Sequence, residues 1–203
     1  MVFKTTGNKS NSVILFFHAM GVIGESSMPV AEKMKEKYYC IMPTSTVYCS
    51  GQRYQSKRDE IQQIVRFLEN HGIKEIELAV ASSIGADLAM VFLTETKITV
   101  KHVFFDGGQF AQIGKATRRI ILYIAMKSLY WSKGKTLKRI MWCDDDKIKP
   151  YFMEAGKNLT YGNLRRQLAD SLEDKPFPEL SEELQKHTFW EFGSIEEHFK
   201  YRN

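Results

Sequence analysis

Residues 12–17 read Ser-Val-Ile-Leu-Phe-Phe, an almost unbroken apolar run. A strand with one wet face would alternate apolar and polar residues, whereas this one has no polar face to offer water. It must be buried on both sides, as in a parallel sheet covered by helices. The next hundred residues keep to that architecture. Ser27 and Pro29 open a helix reaching about Lys37, with Ser27 expected as its N-cap, and Tyr38–Met42 is a second strand stopped by Pro43. A turn-rich loop over 44–57 leads into a helix from Asp59 to Asn70, whose Ile61, Ile64, Val65 and Leu68 share one face and whose stop is Gly72.

A third strand, Ile76–Ala81, feeds a helix from Ile84 to about Thr94, and a fourth, His102–Phe105, ends at Asp106-Gly107-Gly108. Strands joined by helical crossovers of about ten residues specify a parallel sheet with right-handed connections. From 109 to 186 the pattern is helical and charged, and Thr188–Phe192 restores a β-like run. The expectation is therefore an α/β, doubly wound, mostly parallel five-stranded sheet in the order second, first, third, fourth, fifth. Residues 1–108 and 187–203 form its core, and 109–186 a helical cap inserted between the fourth and fifth strands. With 203 residues the chain suits one such domain.

Composition narrows the function classes. The sequence is 43% hydrophobic and 26% charged, ordinary values for a folded globular chain. Met1–Asn11 is polar, and no apolar stretch approaches the ~20 residues of a membrane span, so a cytoplasmic address without a stable span is the default expectation. Cys40, Cys49 and Cys143 are irregularly spaced and suit reduced thiols better than a disulfide framework or a zinc site. Asp144-Asp145-Asp146 has no partner ligands at fixed spacing, and neither glycine-rich nucleotide motif is present. No metal, cofactor or nucleic acid is expected, and a homo-oligomer is compatible with the sequence.

The chemistry concentrates in two loops. Phe16-Phe17-His18-Ala19-Met20-Gly21 follows the first strand, and Ala81-Ser82-Ser83-Ile84-Gly85 joins the third strand to its helix. Together with the Pro43 region and His102–Gly108, these segments resemble successive landmarks of the α/β-hydrolase superfamily, over residues 12–108 and again over 187–203. In that family the nucleophilic serine occupies a strained strand-to-helix corner, and side chains two positions to either side must be small. That spacing selects Ser83, flanked by Ala81 and Gly85, over Ser82, flanked by Val80 and Ile84. The resemblance implies that the backbone N–H groups of Met20 and Ile84 form an oxyanion hole, with His18 a hydrogen-bonded loop residue and not a base. It also implies an acid at Glu196, in Phe192-Gly193-Ser194-Ile195-Glu196, with Asp106 as an alternative that reads more simply as a turn.

The family's base histidine sits on a later loop, and only seven residues follow Glu196. By this alignment it has no counterpart, so the resemblance implies a serine hydrolase of a small-molecule ester or thioester with impaired turnover. The alternative is a non-catalytic relative that binds a small molecule. A third reading concerns Lys115–Cys143, which holds eight Lys and Arg residues and no acidic one, interleaved with Ile120, Ile121, Leu122, Tyr123, Tyr130 and Trp131. As a cap helix, its apolar side at 120–131 should face the Ser83 pocket. As a peripheral membrane module, it would dock on anionic lipid.

Overall fold

The computed structural model describes residues 1–108, 115–127, 130, 147–171 and 179–191. The strands are β1 (Val2–Thr6), β2 (Ser12–Phe17), β3 (Tyr38–Thr44), β4 (Glu75–Ser82), β5 (Thr99–Asp106) and β6 (Thr188–Glu191). The helices are α1 (Met28–Met34), α2 (Lys57–Asn70), α3 (Ile84–Glu95), α4 (Lys115–Met126), α5 (Lys149–Asn158), α6 (Tyr161–Ser171) and α7 (Glu182–Lys186). The strands form one sheet in the order β1-β3-β2-β4-β5-β6, parallel except for β1.

β2 lies inside this sheet, and both its faces are covered, as its composition requires. Val13, Leu15 and Phe17 join Ile41, Ala81 and Phe105 beneath α2 and α3, where Ile64, Leu68 and Phe92 are fully buried. Ile14 and Phe16 point the other way, with Cys40 and Met42, toward Ala31 of α1. Burying a side chain the size of Phe92 contributes about 2–3 kcal/mol. α3 approaches β4 closely because Ala79 and Ala81 on the strand meet Ala86 and Ala89 on the helix, all completely buried.

The order of the five expected strands is as anticipated, and a sixth is added. Val2–Thr6 pairs antiparallel with β3, Val2 opposite Thr44 and Thr6 opposite Cys40. β3 also runs through Pro43 to Thr44 instead of stopping at Met42. Its parallel pairing with β2 ends at the Leu15–Ile41 register, so Pro43 interrupts no ladder bond on that side. Ser27 makes no side-chain cap; the chain enters α1 through a 3₁₀ turn at Gly24–Ser27. Ser56 is the effective cap, its Oγ accepting from Asp59 N–H at 3.1 Å and starting α2 at Lys57.

The described parts of 109–186 are helical, and α6 is fastened to the loop before α2. Asn163 Nδ2 donates to Gln52 O (2.9 Å), Arg166 Nε to Tyr54 O (2.9 Å), and the Tyr54 hydroxyl to Asp170 Oδ2 (2.6 Å). Lys57 N–H also donates to Asp170 Oδ2, at 2.6 Å. Among the described residues no helix is long and apolar enough to cross a membrane, and no cluster of metal-ligating side chains is found. Cys40 and Cys49 are buried and free; Cys143 and Asp144–Asp146 lie outside the described residues.

Candidate active site

β2 and β4 are hydrogen-bonded neighbours that end side by side, Phe17 opposite Ala81, so the loops leaving them emerge together at the C-terminal edge of the sheet. Open α/β sheets place ligands at such an edge. The chain turns from β4 into α3 through one residue. Ser83 has φ 52° and ψ −120°, and it is the one non-glycine residue with positive φ among those described. A side chain there costs about 1–3 kcal/mol and persists only where its surroundings hold it.

Three features hold it. Ser83 N–H donates to Asp106 O (3.0 Å), and its own carbonyl accepts from Ala86 N–H (2.9 Å). Gly85 then passes so close to the end of β2 that a Cβ on it would lie 2.3 Å from Phe17 O and 2.8 Å from His18 O. The strained turn and the His18–Gly21 loop are thus in direct contact. Ser83 itself is exposed. Replacing it by glycine should raise stability by about 1 kcal/mol in urea unfolding, since glycine tolerates this φ and ψ. Ser82→Gly is the control and should destabilise; a loss of similar size in both would show that Ser83 carries no strain.

Ile84 is the first residue of α3, so its N–H has no partner within the helix. The Met20 N–H has no hydrogen-bond partner among the described residues, whereas the neighbouring Gly21 N–H donates to the Tyr48 hydroxyl at 2.8 Å. His18 is buried and doubly engaged: Nδ1 lies 2.8 Å from Ala19 O, and Nε2 accepts from Ser45 N–H at 3.0 Å. Those contacts fix the neutral tautomer with the proton on Nδ1. Burial lowers its pKa from 6.5 to about 4. With both nitrogens committed, His18 orients its loop and offers no lone pair to Ser83.

The loop that receives these bonds has its own anchor, which sequence reading missed. Thr46 donates to the Glu60 carboxylate through its N–H, 3.2 Å from each oxygen, and through its hydroxyl. Glu60 is almost completely buried, and burial pushes its carboxyl pKa up against the pull of those bonds. Burial likewise pushes the Tyr48 hydroxyl to about 12, so it stays a neutral acceptor for Gly21 N–H. The chain of support runs from Glu60 through Thr46 and Ser45 to His18. Under the turn, Lys57 Nζ pairs with Asp87 Oδ1 at 3.0 Å and ties the first turns of α2 and α3 together.

Asp106 ends β5 opposite Ser82, whose hydroxyl donates to its Oδ2 at 3.1 Å. Gly107 follows with φ 63° and donates to Glu191 O. In this arrangement Asp106 braces the Ser83 turn, through its carbonyl and through Ser82, and no histidine contacts it among the described residues. His102 lies four residues back along β5 and His187 just before β6, beside each other with ring centroids 5.3 Å apart. That is roughly 13 Å from the Asp106 end at ordinary strand rise. His71 closes the far end of α2. Glu196 and His198 lie outside the described residues.

A cavity of about 800 Å³ opens beside the turn. His18, Ala19, Ser82 and Asp106 line its polar end, and Phe16, Val80, Phe104 and Phe152 line its apolar walls. Ser83 adjoins the polar end next to Ser82 and is not itself among the lining residues.

No protein-family model matches this sequence, and no curated protein matches it. Solved structures do. A proposed α/β-hydrolase family protein from Desulfitobacterium hafniense superposes with a TM-score of 0.68 at 17% identity, over 85% of this chain and 72% of that one. An esterase from Exiguobacterium antarcticum gives 0.68 at 9% identity, over 85% and 69%. A thermophilic esterase from Thermogutta terrifontis gives 0.67 at 12% identity, over 87% and 68%. The chain has an α/β-hydrolase fold. At these identities the likeness establishes the architecture of this α/β-hydrolase-fold chain and leaves its residues to be argued on their own chemistry.

Proposed function

We propose that this chain is a serine hydrolase of a small-molecule ester or thioester, with Ser83 as nucleophile and the Met20 and Ile84 N–H groups as oxyanion donors. One observation carries the reading: the only strained non-glycine backbone among the described residues belongs to a serine, exposed between β4 and α3 and pressed against the β2 loop. Strain of that kind is retained where a side chain must be presented at a fixed point. Attack by Ser83 Oγ on the ester carbon would place negative charge on the carbonyl oxygen, where two preset N–H donors lower the barrier. The 800 Å³ cavity suits the substrate's apolar part. The helices of 109–186 form the cap over this edge, and Glu196 is the acid position.

A second reading, a small-molecule binding protein that retains the pocket without turnover, draws on the histidines. Among the described residues, His18 has both nitrogens engaged, His71 and His187 lie away from the Ser83 edge, and His102 lines the cavity four residues back along β5 from Asp106. A serine hydroxyl without a base is a poor nucleophile at neutral pH.

Labelling with a fluorophosphonate, followed by peptide mass spectrometry and a short-chain nitrophenyl ester assay, separates the two. The expected result is a phosphonylated Ser83 and slow ester turnover that disappears in Ser83→Ala. Labelling at Ser82 instead, or equal turnover in the two proteins, would remove Ser83 from the mechanism. Absence of both label and turnover, with a small ester still bound in calorimetry, would establish the binding protein.

A further inference from the structure

α4 has two apolar faces, and among the described residues only one of them packs against a partner. Leu122 and Met126 pack with Leu164 and Leu168 of α6, and Tyr130 and Met20 close the same cluster. Through Met20 this face reaches the loop beside Ser83. Not every apolar residue of α4 turns inward. Ile120, Tyr123 and Ile124 are 58%, 61% and 55% exposed.

At 100° per residue these three span an arc of about 100° on the helix surface, opposite the packed face. The Lys127 position falls within that arc and the Arg119 position about 40° beyond its Tyr123 side, and both side chains are exposed. Large apolar side chains clustered this way are unusual on a free surface, and the helix that carries them has basic residues and no acidic one: Lys115, Arg118 and Arg119, with Lys127 just after it. From Lys115 to Cys143 the sequence carries eight Lys and Arg residues and no Asp or Glu. An apolar stripe with exposed Arg119 and Lys127 beside it is complementary to a surface that offers both hydrocarbon and negative charge.

We propose that the outer face of α4 docks on an anionic lipid bilayer, lying in the interface with Ile120, Tyr123 and Ile124 inserted and Arg119 and Lys127 at the headgroups. The helix is 12 residues, about 18 Å, too short to span a hydrocarbon core of about 30 Å, so it rests on the membrane and does not cross it. Lysine and arginine stems extend to the headgroups while their methylenes cover apolar surface. The inner and outer faces thus serve different purposes, one holding the helix over the β2 loop and the other meeting lipid. This proposal does not depend on the hydrolase reading.

Co-sedimentation of the full chain with vesicles tests it. Binding to phosphatidylglycerol-containing vesicles is expected at low salt, with little to phosphatidylcholine alone, and release as ionic strength rises from about 0.05 to 0.5 M. The combined variant Ile120→Ser, Tyr123→Ser, Ile124→Ser should weaken the partition at least about tenfold. Arg119→Glu with Lys127→Glu should do the same, at about fivefold or more per charge. All five side chains are exposed, so melting temperatures should stay close to wild type and loss of binding will not report unfolding. No binding by wild type, or undiminished binding by the serine variant, overturns the proposal. So does a wild-type dimer in sedimentation velocity that the serine variant converts to monomer, which would make this stripe a contact between two copies of the chain.

Discussion

Gly85→Ala is expected to destabilise the protein by about 3 kcal/mol or more, and Gly85→Val to prevent folding. An added Cβ would meet Phe17 O at 2.3 Å, Phe17 C at 2.7 Å and His18 O at 2.8 Å, against an ordinary contact distance of 3.4 Å or more. All three are backbone atoms, so no side chain can swing aside. Relief requires α3 to withdraw from the end of β2 by about 1 Å, which loosens Ala86, Ala89 and Phe92 against the sheet. Overpacking in a core usually costs about 1–3 kcal/mol, and a clash of backbone with backbone belongs at the upper end. A loss of this size is a large part of the roughly 5–15 kcal/mol that holds a domain folded. Urea unfolding of Gly72→Ala is the comparison. Gly72 has φ 69° but nothing within 4 Å of its added Cβ, so only backbone strain opposes the change, at about 1 kcal/mol. Equal midpoints for the two variants would show that the contact at Gly85 is slack.

The same contact explains how much of the site was readable from sequence. Small residues two positions either side of Ser83 are a local signature, and the run of β2, β4 and β5 as apolar strands fixed which loops would be neighbours. What held those loops in place was invisible. Glu60 sits in Lys-Arg-Asp-Glu-Ile-Gln-Gln, where it reads as one more surface acid, and it is buried because Thr46, 14 residues earlier, folds back over it. Tyr48 reaches Gly21 across 27 residues with no spacing rule to announce it. β1 went unread for a related reason: Val-Phe-Lys-Thr-Thr has no buried alternation and becomes a strand only when β3 offers its free edge. In α4 the block Ile120–Met126 concealed two faces, because consecutive apolar residues distribute around a helix and composition does not say which side finds a partner.

Acid should weaken the fold through His18, and the sign follows from its lowered pKa. The folded protein holds this imidazole near 4 because burial excludes the charge, while an unfolded chain titrates it near 6.5. Between those values the unfolded state binds the extra proton, so stability rises with pH there and is lost as pH falls from 6.5 toward 4. The difference amounts to about 3 kcal/mol over the whole window. Glu60 and Asp87 act in the opposite sense, since burial raises both carboxyls and acidification favours their folded form. A single pH profile would mix these effects, and a pair of profiles separates them. His18→Gln keeps a polar group at the site without a titratable one. At pH 7.5 it should be less stable than wild type by about 1–2 kcal/mol, because the bonds from Ser45 N–H and to Ala19 O are imperfectly replaced. As pH falls through the window, wild type should lose its advantage, and near pH 4 the two urea midpoints should meet or cross. A gap that stays constant from pH 7.5 to pH 4 would mean that His18 accepts its proton in the folded state without cost, and that neither Ser45 nor Ala19 holds it in the neutral form.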